Sequence, residues 1–345
     1  MAAALIALGS NLGDRERILN DAVARLAVQP NVVVLATSRW HATKPIGGPA
    51  GQAEFLNGAV LLGTSLSPEQ LHAVLRQIET KAGRNRDERW APRTLDIDLL
   101  LYDKLVIDTP ELVVPHPRMA FRRFVLEPAA EAAGWMEHPT IGWTITKLRN
   151  HVRAGWWRYA AAIAGPIASG KTALATAIAT TVVGRLISDP APQRRFEEPA
   201  GDSDCSFEGE IKRLCLRRAS LQFSKSSHST VISDFWFEQT ICDAKMELPA
   251  NRFAEYLERC RLESRTVAKA RLLVLLDVPP DVSWQRIGEH GDPHPRRFSR
   301  DWLVRYRELL LALVAIPGHG PVLRLDGTKL DEARDELVAA IQAMQ

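Results

Sequence analysis

The run GPIASGKT, Gly165 to Thr172, constrains this chain more than any other feature of it. An apolar stretch, Tyr159 to Ala164, leads into the run, and a helical pattern, Thr172 to Val183, leads out of it. A strand that ends in a glycine-rich turn and feeds a helix N-terminus aims backbone N–H groups at an anion. In such a loop Gly165, Ser169 and Gly170 shape a cradle for the phosphates of ATP. Lys171 reaches the β and γ phosphates, and Thr172 can hold one magnesium ion.

The surrounding pattern fits that demand. Strand-like and helix-like stretches alternate: Arg158 to Ala164, Thr172 to Val183, Arg185 to Ser188, Phe207 to Ser226, Thr230 to Ser233, Ala250 to Ala268, Leu272 to Leu276. Alternation of this kind predicts an α/β domain, a parallel sheet covered by helices on both faces. The chain has 345 residues, enough for two domains. The pattern changes character near Arg153, which sets domains at 1–152 and 153–345.

Composition narrows the setting. Apolar residues at 46% and charged residues at 25% are ordinary globular usage and exclude a disordered or fibrous chain. No apolar run approaches the roughly 18 residues that span a bilayer, so no membrane partner is expected. A net charge of +3 gives no strong field and implies no nucleic acid. Cys205, Cys215, Cys242 and Cys260 form no C-x-x-C pair, and Met1 to Leu8 lacks a basic leader. Reduced thiols in a cytoplasmic protein are the expectation.

The first half reads differently. Ala3 to Leu8, Val32 to Thr43, Phe55 to Thr64 and Leu95 to Tyr102 look like strands, and Pro45 to Gly51 like a loop. Arg15 to Val28 and the stretch after Ser67, with Leu71, Val74, Leu75 and Ile78 on one side, look like helices. Helices interleaved with a largely antiparallel set of strands make an α+β domain. Arg84, Arg86, Arg89, Trp90, Arg93, Asp96 and Asp98 fall within fifteen residues. Side chains two apart on a strand point the same way, so Asp96 and Asp98 project together while Leu95, Ile97 and Leu99 face the core. Paired carboxylates suit magnesium, and a solvated, charge-paired strand face is the plainer alternative.

Four ordered blocks weigh against the plainer alternative: ALGSNLGD (Ala7 to Asp14), ATKPIGGPAGQAEFLNGAV (Ala42 to Val60), RNRDERWAPRTLDIDLLLY (Arg84 to Tyr102) and VPHPRMAFRRFVLEP (Val114 to Pro128). With them, residues 3–149 resemble the 6-hydroxymethyl-7,8-dihydropterin pyrophosphokinases. The resemblance implies a ferredoxin-like α+β fold and pyrophosphate transfer from ATP to the pterin in folate synthesis. It makes Asp96 and Asp98 ligands of two magnesium ions, and Arg84, Arg93, His116 and Arg122 the grip on the triphosphate. Arg84 and Arg93 stabilise the transferred charge, Trp90 closes over the site, and Glu79 lies near the nucleotide. Phe55 and Phe124 would stack the pterin, while Asn57 and the chain from Thr43 to Ile46 read its edge. Ala91, Phe55 and Lys44 depart from the family's usual glycine, tyrosine and proline without removing a metal ligand.

The second half, residues 158–345, resembles the deoxynucleoside kinases. Asp189, followed by Pro190 after the second strand, matches an acidic residue that acts as base on the acceptor hydroxyl. Asp234 ends the third strand and matches an acid beside the metal. The resemblance also admits a homodimer through this half. Phe235 stands where that family has arginine, and the lid segment Glu289 to Arg297 carries Arg296 and Arg297 in an altered setting, with Arg286 before it. A nucleotide-binding regulatory module and a kinase for another small acceptor therefore stay open.

Overall fold

The computed structural model describes residues 1–47, 51–83, 93–154, 159–191, 207–222, 230–289 and 298–345. The chain divides into two compact units, Met1–Ala154 with Gln342–Gln345 and Gly155–Ile341.

In the first unit, β1 (Ala2–Ser10), β2 (Val32–Thr37), β4 (Phe55–Thr64) and β5 (Asp96–Tyr102) form an antiparallel sheet in the order β2-β4-β1-β5. The short β3 (His41–Thr43) also pairs with β4. Alternation along the strands separates two faces. Ala4, Ile6, Leu8, Val60, Leu62, Ile97 and Leu99 pack onto Leu19, Ala22 and Leu26 of α1 (Arg15–Ala27) and Leu71, Leu75 and Ile78 of α2 (Pro68–Lys81). Each such leucine or isoleucine contributes roughly 1.5 to 3 kcal/mol by leaving water. Both helices start where the sequence caps them. Asp14 accepts the Arg17 N–H, and Ser67 and Gln70 form a reciprocal capping box ahead of Pro68.

The opposite face of the same strands carries Ala7, Gly9, Asn57, Asp96 and Asp98 at one end, with Leu5 and Leu61 further along it. Two hairpins, β6 (Ile107–Asp108) with β7 (Val113–Val114) and β8 (Glu137–His138) with β9 (Trp143–Thr144), follow β5. Helix α3 (Arg123–Ala133) packs against β4 and β1, and α4 (Ile145–Arg153) packs against α3.

One expected strand is broken. Val32 to Thr43 reads as continuous, yet Ser38 to Trp40 leave the strand path between β2 and β3. Ser38 Oγ takes the Ala59 N–H at 2.9 Å, and Trp40 lies over Gly58, where a Cβ would stand 2.2 Å from the indole. A glycine on β4 thus makes the room that lets the tryptophan cross the sheet.

The second unit holds a five-stranded parallel sheet. Its strands are β10 (Tyr159–Ala164), β11 (Arg185–Ile187), β12 (Val231–Ser233), β13 (Leu272–Asp277) and β14 (Val322–Asp326), in the order β11-β12-β10-β13-β14. Every residue of β10 is buried, so both faces of the central strand are covered, as its unbroken apolar run requires. The helices are α5 (Lys171–Thr181), α6 (Phe207–Ser220), α7 (Thr240–Glu247), α8 (Ala250–Ser264), α9 (Pro280–Glu289), α10 (Arg300–Val314) and α11 (Leu330–Ala343). Helix α7, whose first turn carries no side-chain cap, has no counterpart among the stretches read from the sequence. Cys242 and Cys260 are free and buried, and burial pushes both thiols up to about 12, as inert packing residues. Cys215 is free as well, and Cys205 lies outside the described residues. Among the described residues no helix is long and apolar enough to cross a membrane.

Candidate active sites

The central strand β1 organises the first site. Gly9 is the register partner of Asn57 on β4 and of Asp96 on β5, and Ala7 is the partner of Asp98. Directly opposed residues share a face, so the aromatic and amide side of β4 and the two carboxylates of β5 look across one small residue. A Cβ built at Gly9 would stand 3.0 Å from Asn57 Oδ1 and 4.0 Å from Phe55 Cδ1. Asn57 Oδ1 comes this close because position 9 has no side chain.

Asn57 is 8% exposed, and its Nδ2 donates to Thr43 Oγ1 at 2.7 Å. Thr43 is in turn the register partner of Phe55, which brings three residues of the expected pterin pocket together. Ile46 is half-buried in the segment beyond β3. Phe124 sits in the first turn of α3 with the Arg122 guanidinium 5.6 Å from its ring centre. The aromatic ring expected at the pterin and the cation expected at the phosphates therefore adjoin.

On the carboxylate side, Arg93 Nη1 donates to Asp96 Oδ2 at 2.5 Å, and His116 Nε2 lies 3.8 Å from Asp98 Oδ2. His116 Nδ1 accepts the Arg118 N–H at 3.2 Å, which leaves its proton on Nε2 facing the carboxylate. Burial holds the imidazole below its ordinary pKa against the pull of Asp98. Two half-exposed carboxylates on one strand face are hard oxygen donors of the kind magnesium takes. Glu79, expected near the nucleotide, is 2% exposed and accepts the Ile97 N–H at 2.8 Å. It satisfies the open edge of β5 between the two aspartates, so it supports the site from inside. Arg84 and Trp90, with Arg86 and Arg89, lie outside the described residues.

The second site forms after β10. Gly170 has φ +95° and passes the chain into α5, and Lys171 Nζ donates to Gly165 O at 3.0 Å and Pro166 O at 2.8 Å. Those carbonyls hold the lysine where phosphate oxygens would take it. Ser169 is fully buried in the loop. Thr172 Oγ1 donates to Asp234 Oδ2 at 2.8 Å, so the expected magnesium pair is in contact. Asp234 Oδ1 accepts the Asp189 N–H at 2.6 Å, bringing the ends of β11 and β12 together. Arg286 on α9 donates to Ala168 O at 3.2 Å and Gly327 O at 2.9 Å, against the outside of the loop.

Sequence reading missed the groups that hold this site. Asp189, expected as an open base, is gripped by Arg217 through Nε to Oδ1 at 3.0 Å and Nη2 to Oδ2 at 2.5 Å. Arg217 Nη1 reaches Asp243 Oδ2 at 2.9 Å, and Tyr306 donates to Asp243 Oδ1 at 2.8 Å. Burial raises the Asp189 pKa, and the guanidinium overrides it, holding the carboxyl below its ordinary value. Gln239 clamps Gly165 on both sides, accepting its N–H at 3.2 Å and donating to its O at 3.0 Å. Phe235 is 2% exposed and belongs to the core, with the Arg217 guanidinium 5.8 Å from its ring centre. The buried face of α6, Glu210, Leu214 and Arg217 at helical spacing, was the available signal, since charges on a core stripe need partners. Arg296, Arg297, His290 and His294 lie outside the described residues.

The family model of 7,8-dihydro-6-hydroxymethylpterin-pyrophosphokinase (HPPK) matches residues 5–134. A 2-amino-4-hydroxy-6-hydroxymethyldihydropteridine pyrophosphokinase of Bacillus subtilis is 49% identical over 134 residues, covering 39% of this chain and 80% of that protein. The chain belongs to the HPPK family. The matched residues all lie in the first unit, so the HPPK assignment is carried by the sheet with Gly9, Asn57, Asp96 and Asp98. A pyrophosphokinase of the same description from Synechocystis is 41% identical over 149 residues, 43% of this chain and 75% of its own length. A solved structure of deoxyadenosine kinase from M. mycoides with bound dATP is similar over 52% of this chain and 98% of that one, at 16% identity and a TM-score of 0.44.

Proposed function

We propose that the HPPK unit transfers the terminal pyrophosphate of ATP to the hydroxymethyl group of 6-hydroxymethyl-7,8-dihydropterin, in folate synthesis. The observation that carries this is the register at Gly9, with Asn57 on one side and Asp96 on the other. A pterin stacked by Phe55 and Phe124, its edge read by Asn57 and the chain from Thr43 to Ile46, lies beside the carboxylate pair. Asp96 and Asp98 would hold two magnesium ions, which would supply positive charge against the phosphates. Arg93, His116 and Arg122, with Arg84, grip the triphosphate and meet the charge that develops on transfer. The hydroxymethyl oxygen bonds to the β-phosphorus as the bond from that phosphorus to the α-phosphate oxygen breaks, and AMP leaves. The strand order β2-β4-β1-β5, with a helix after β1 and another after β4, supports the ferredoxin-like description of this unit.

The second unit, in this reading, phosphorylates a deoxynucleoside with ATP. Lys171 moves from the Gly165 and Pro166 carbonyls to the β and γ phosphates, and Thr172 and Asp234 would hold one magnesium ion. Asp189 takes the acceptor proton through an oxygen shared with Arg217. A second reading, a nucleotide-binding regulatory module without turnover, is favoured by that same bidentate pair, which depresses the basicity of Asp189. Buried free thiols at Cys242 and Cys260 support a cytoplasmic setting for both. The test is the full chain incubated with ATP and magnesium, and with the pterin or each deoxynucleoside. AMP release with the pterin and ADP release with one nucleoside are expected. ADP release with the pterin overturns the first assignment, and nucleoside-independent ATP binding without ADP overturns the second.

A further inference from the structure

The block Ala7 to Asp14 contains a residue that the substrate contacts leave unexplained. Asn11 follows β1 directly, is 2% exposed, and binds the Arg93 peptide on both sides. Its N–H donates to Arg93 O at 3.1 Å, and its Oδ1 accepts the Arg93 N–H at 2.7 Å. Its Nδ2 donates to Gln52 Oε1 at 3.2 Å. Gln52 stands three residues before Phe55, and the Arg93 side chain stands on Asp96.

We propose that Asn11 is a positioning residue of the pyrophosphoryl transfer, fixing the Arg93 backbone to the end of β1 and tying it to the segment that leads into the pterin strand. This rests on the HPPK reading of the first unit. A buried amide has few ways to satisfy its donors and acceptor, and here Oδ1 and one Nδ2 hydrogen go to the two segments that flank the reacting groups. Gly9, two residues away, has Asp96 and Asn57 as its partners. Asn11 thereby sets the reach of the Arg93 guanidinium from the same strand that sets the separation of pterin edge and carboxylate. Misplacement of a catalytic group by about 1 Å costs on the order of a hundredfold in rate, so a small shift of Arg93 is readable in kcat.

The test is a double-mutant cycle on the full chain with Asn11→Ala and Arg93→Ala, with Asn11→Asp as the conservative variant. Asn11→Ala is expected to lower kcat for AMP release by about tenfold to a hundredfold, with the pterin KM changed by less than about threefold. In the Arg93→Ala background it should cost nothing further, because its effect runs through that side chain. Asn11→Asp keeps Oδ1 for the Arg93 N–H and should recover most of the rate. Losses that multiply across the cycle, or Asn11→Asp as slow as Asn11→Ala, overturn the positioning role and leave a general packing one. A wild-type chain that releases no AMP overturns the HPPK reading itself, and this inference with it.

Discussion

Arg217 holds Asp189 by two parallel hydrogen bonds at 3.0 and 2.5 Å, and both lie inside the second unit, with Arg217 5% exposed. The third nitrogen of the same guanidinium serves Asp243 at 2.9 Å. Arg217→Met leaves two carboxylates buried without their cation. Removing one partner of a buried pair costs about 3 to 5 kcal/mol, and the loss is expected in urea unfolding followed by amide exchange in β12 and α6. A change under about 1 kcal/mol would contradict the burial of the network. The Asp189 carboxyl, held below its ordinary value, contributes stability above the usual carboxylate range that is lost as pH falls through its folded pKa.

Lys171 and Asp189 should fail differently if the second unit turns over. Lys171→Ala removes the cation that leaves the Gly165 and Pro166 carbonyls for the phosphates, so both ATP affinity and rate should fall. Asp189→Asn should leave ATP binding within about threefold and cut turnover on the order of a hundredfold to ten-thousandfold. Equal losses of ATP affinity in the two variants, measured by calorimetry, would remove Asp189 from the acceptor side.

Gly9→Ala tests the proposed place of the pterin beside the carboxylates. A methyl group there meets Asn57 Oδ1 at 3.0 Å and Phe55 at 4.0 Å, and the amide must give way. Pterin affinity is expected to fall about tenfold, roughly 1.4 kcal/mol, while ATP affinity stays within about twofold. Calorimetry with each ligand separates the two, and an equal loss for both would place the pterin elsewhere.

His138, on β8, gives the first unit an acid-sensitive step. It is 6% exposed, and burial pushes its imidazole down to about 4, with Thr140 Oγ1 at 3.2 Å from Nδ1. The folded value lies below the unfolded one near 6.5, so the stabilisation is complete above that pH and declines as pH falls toward 4. The gap corresponds to roughly 3 kcal/mol. Thermal unfolding of His138→Gln should depend less on pH between about 4 and 6.5 than the wild type. Identical pH profiles would exclude the histidine as the cause.

What was legible in the sequence was local. The phosphate loop carries its own strand and helix signals, and the alternation of Asp96, Ile97 and Asp98 separates site face from core face without any knowledge of neighbours. What was hidden depends on partners far along the chain. Arg217 meets Asp189 and Asp243 across 28 and 26 positions, and Asn11 meets Arg93 across 82. No spacing rule reaches that far. Glu79 shows the same limit, since only the edge position of β5 explains why a helix carboxylate turns inward to the Ile97 N–H. The break between β2 and β3 required a glycine on another strand, Gly58, to be seen beneath Trp40.

The most direct test of the account is AMP formation by Asp96→Ala and Asp98→Ala in the full chain, with ATP, magnesium and the hydroxymethyl-dihydropterin. Asp96 and Asp98 share the site face of β5 beside Gly9 and Ala7, and neither belongs to the α1 and α2 core. Each variant should keep the wild-type melting temperature within a few degrees and lose AMP formation by at least about a thousandfold, since in this proposal the carboxylates would be the metal's protein ligands. Wild-type rates of AMP release in both variants would contradict the assignment of this strand face as the site of transfer.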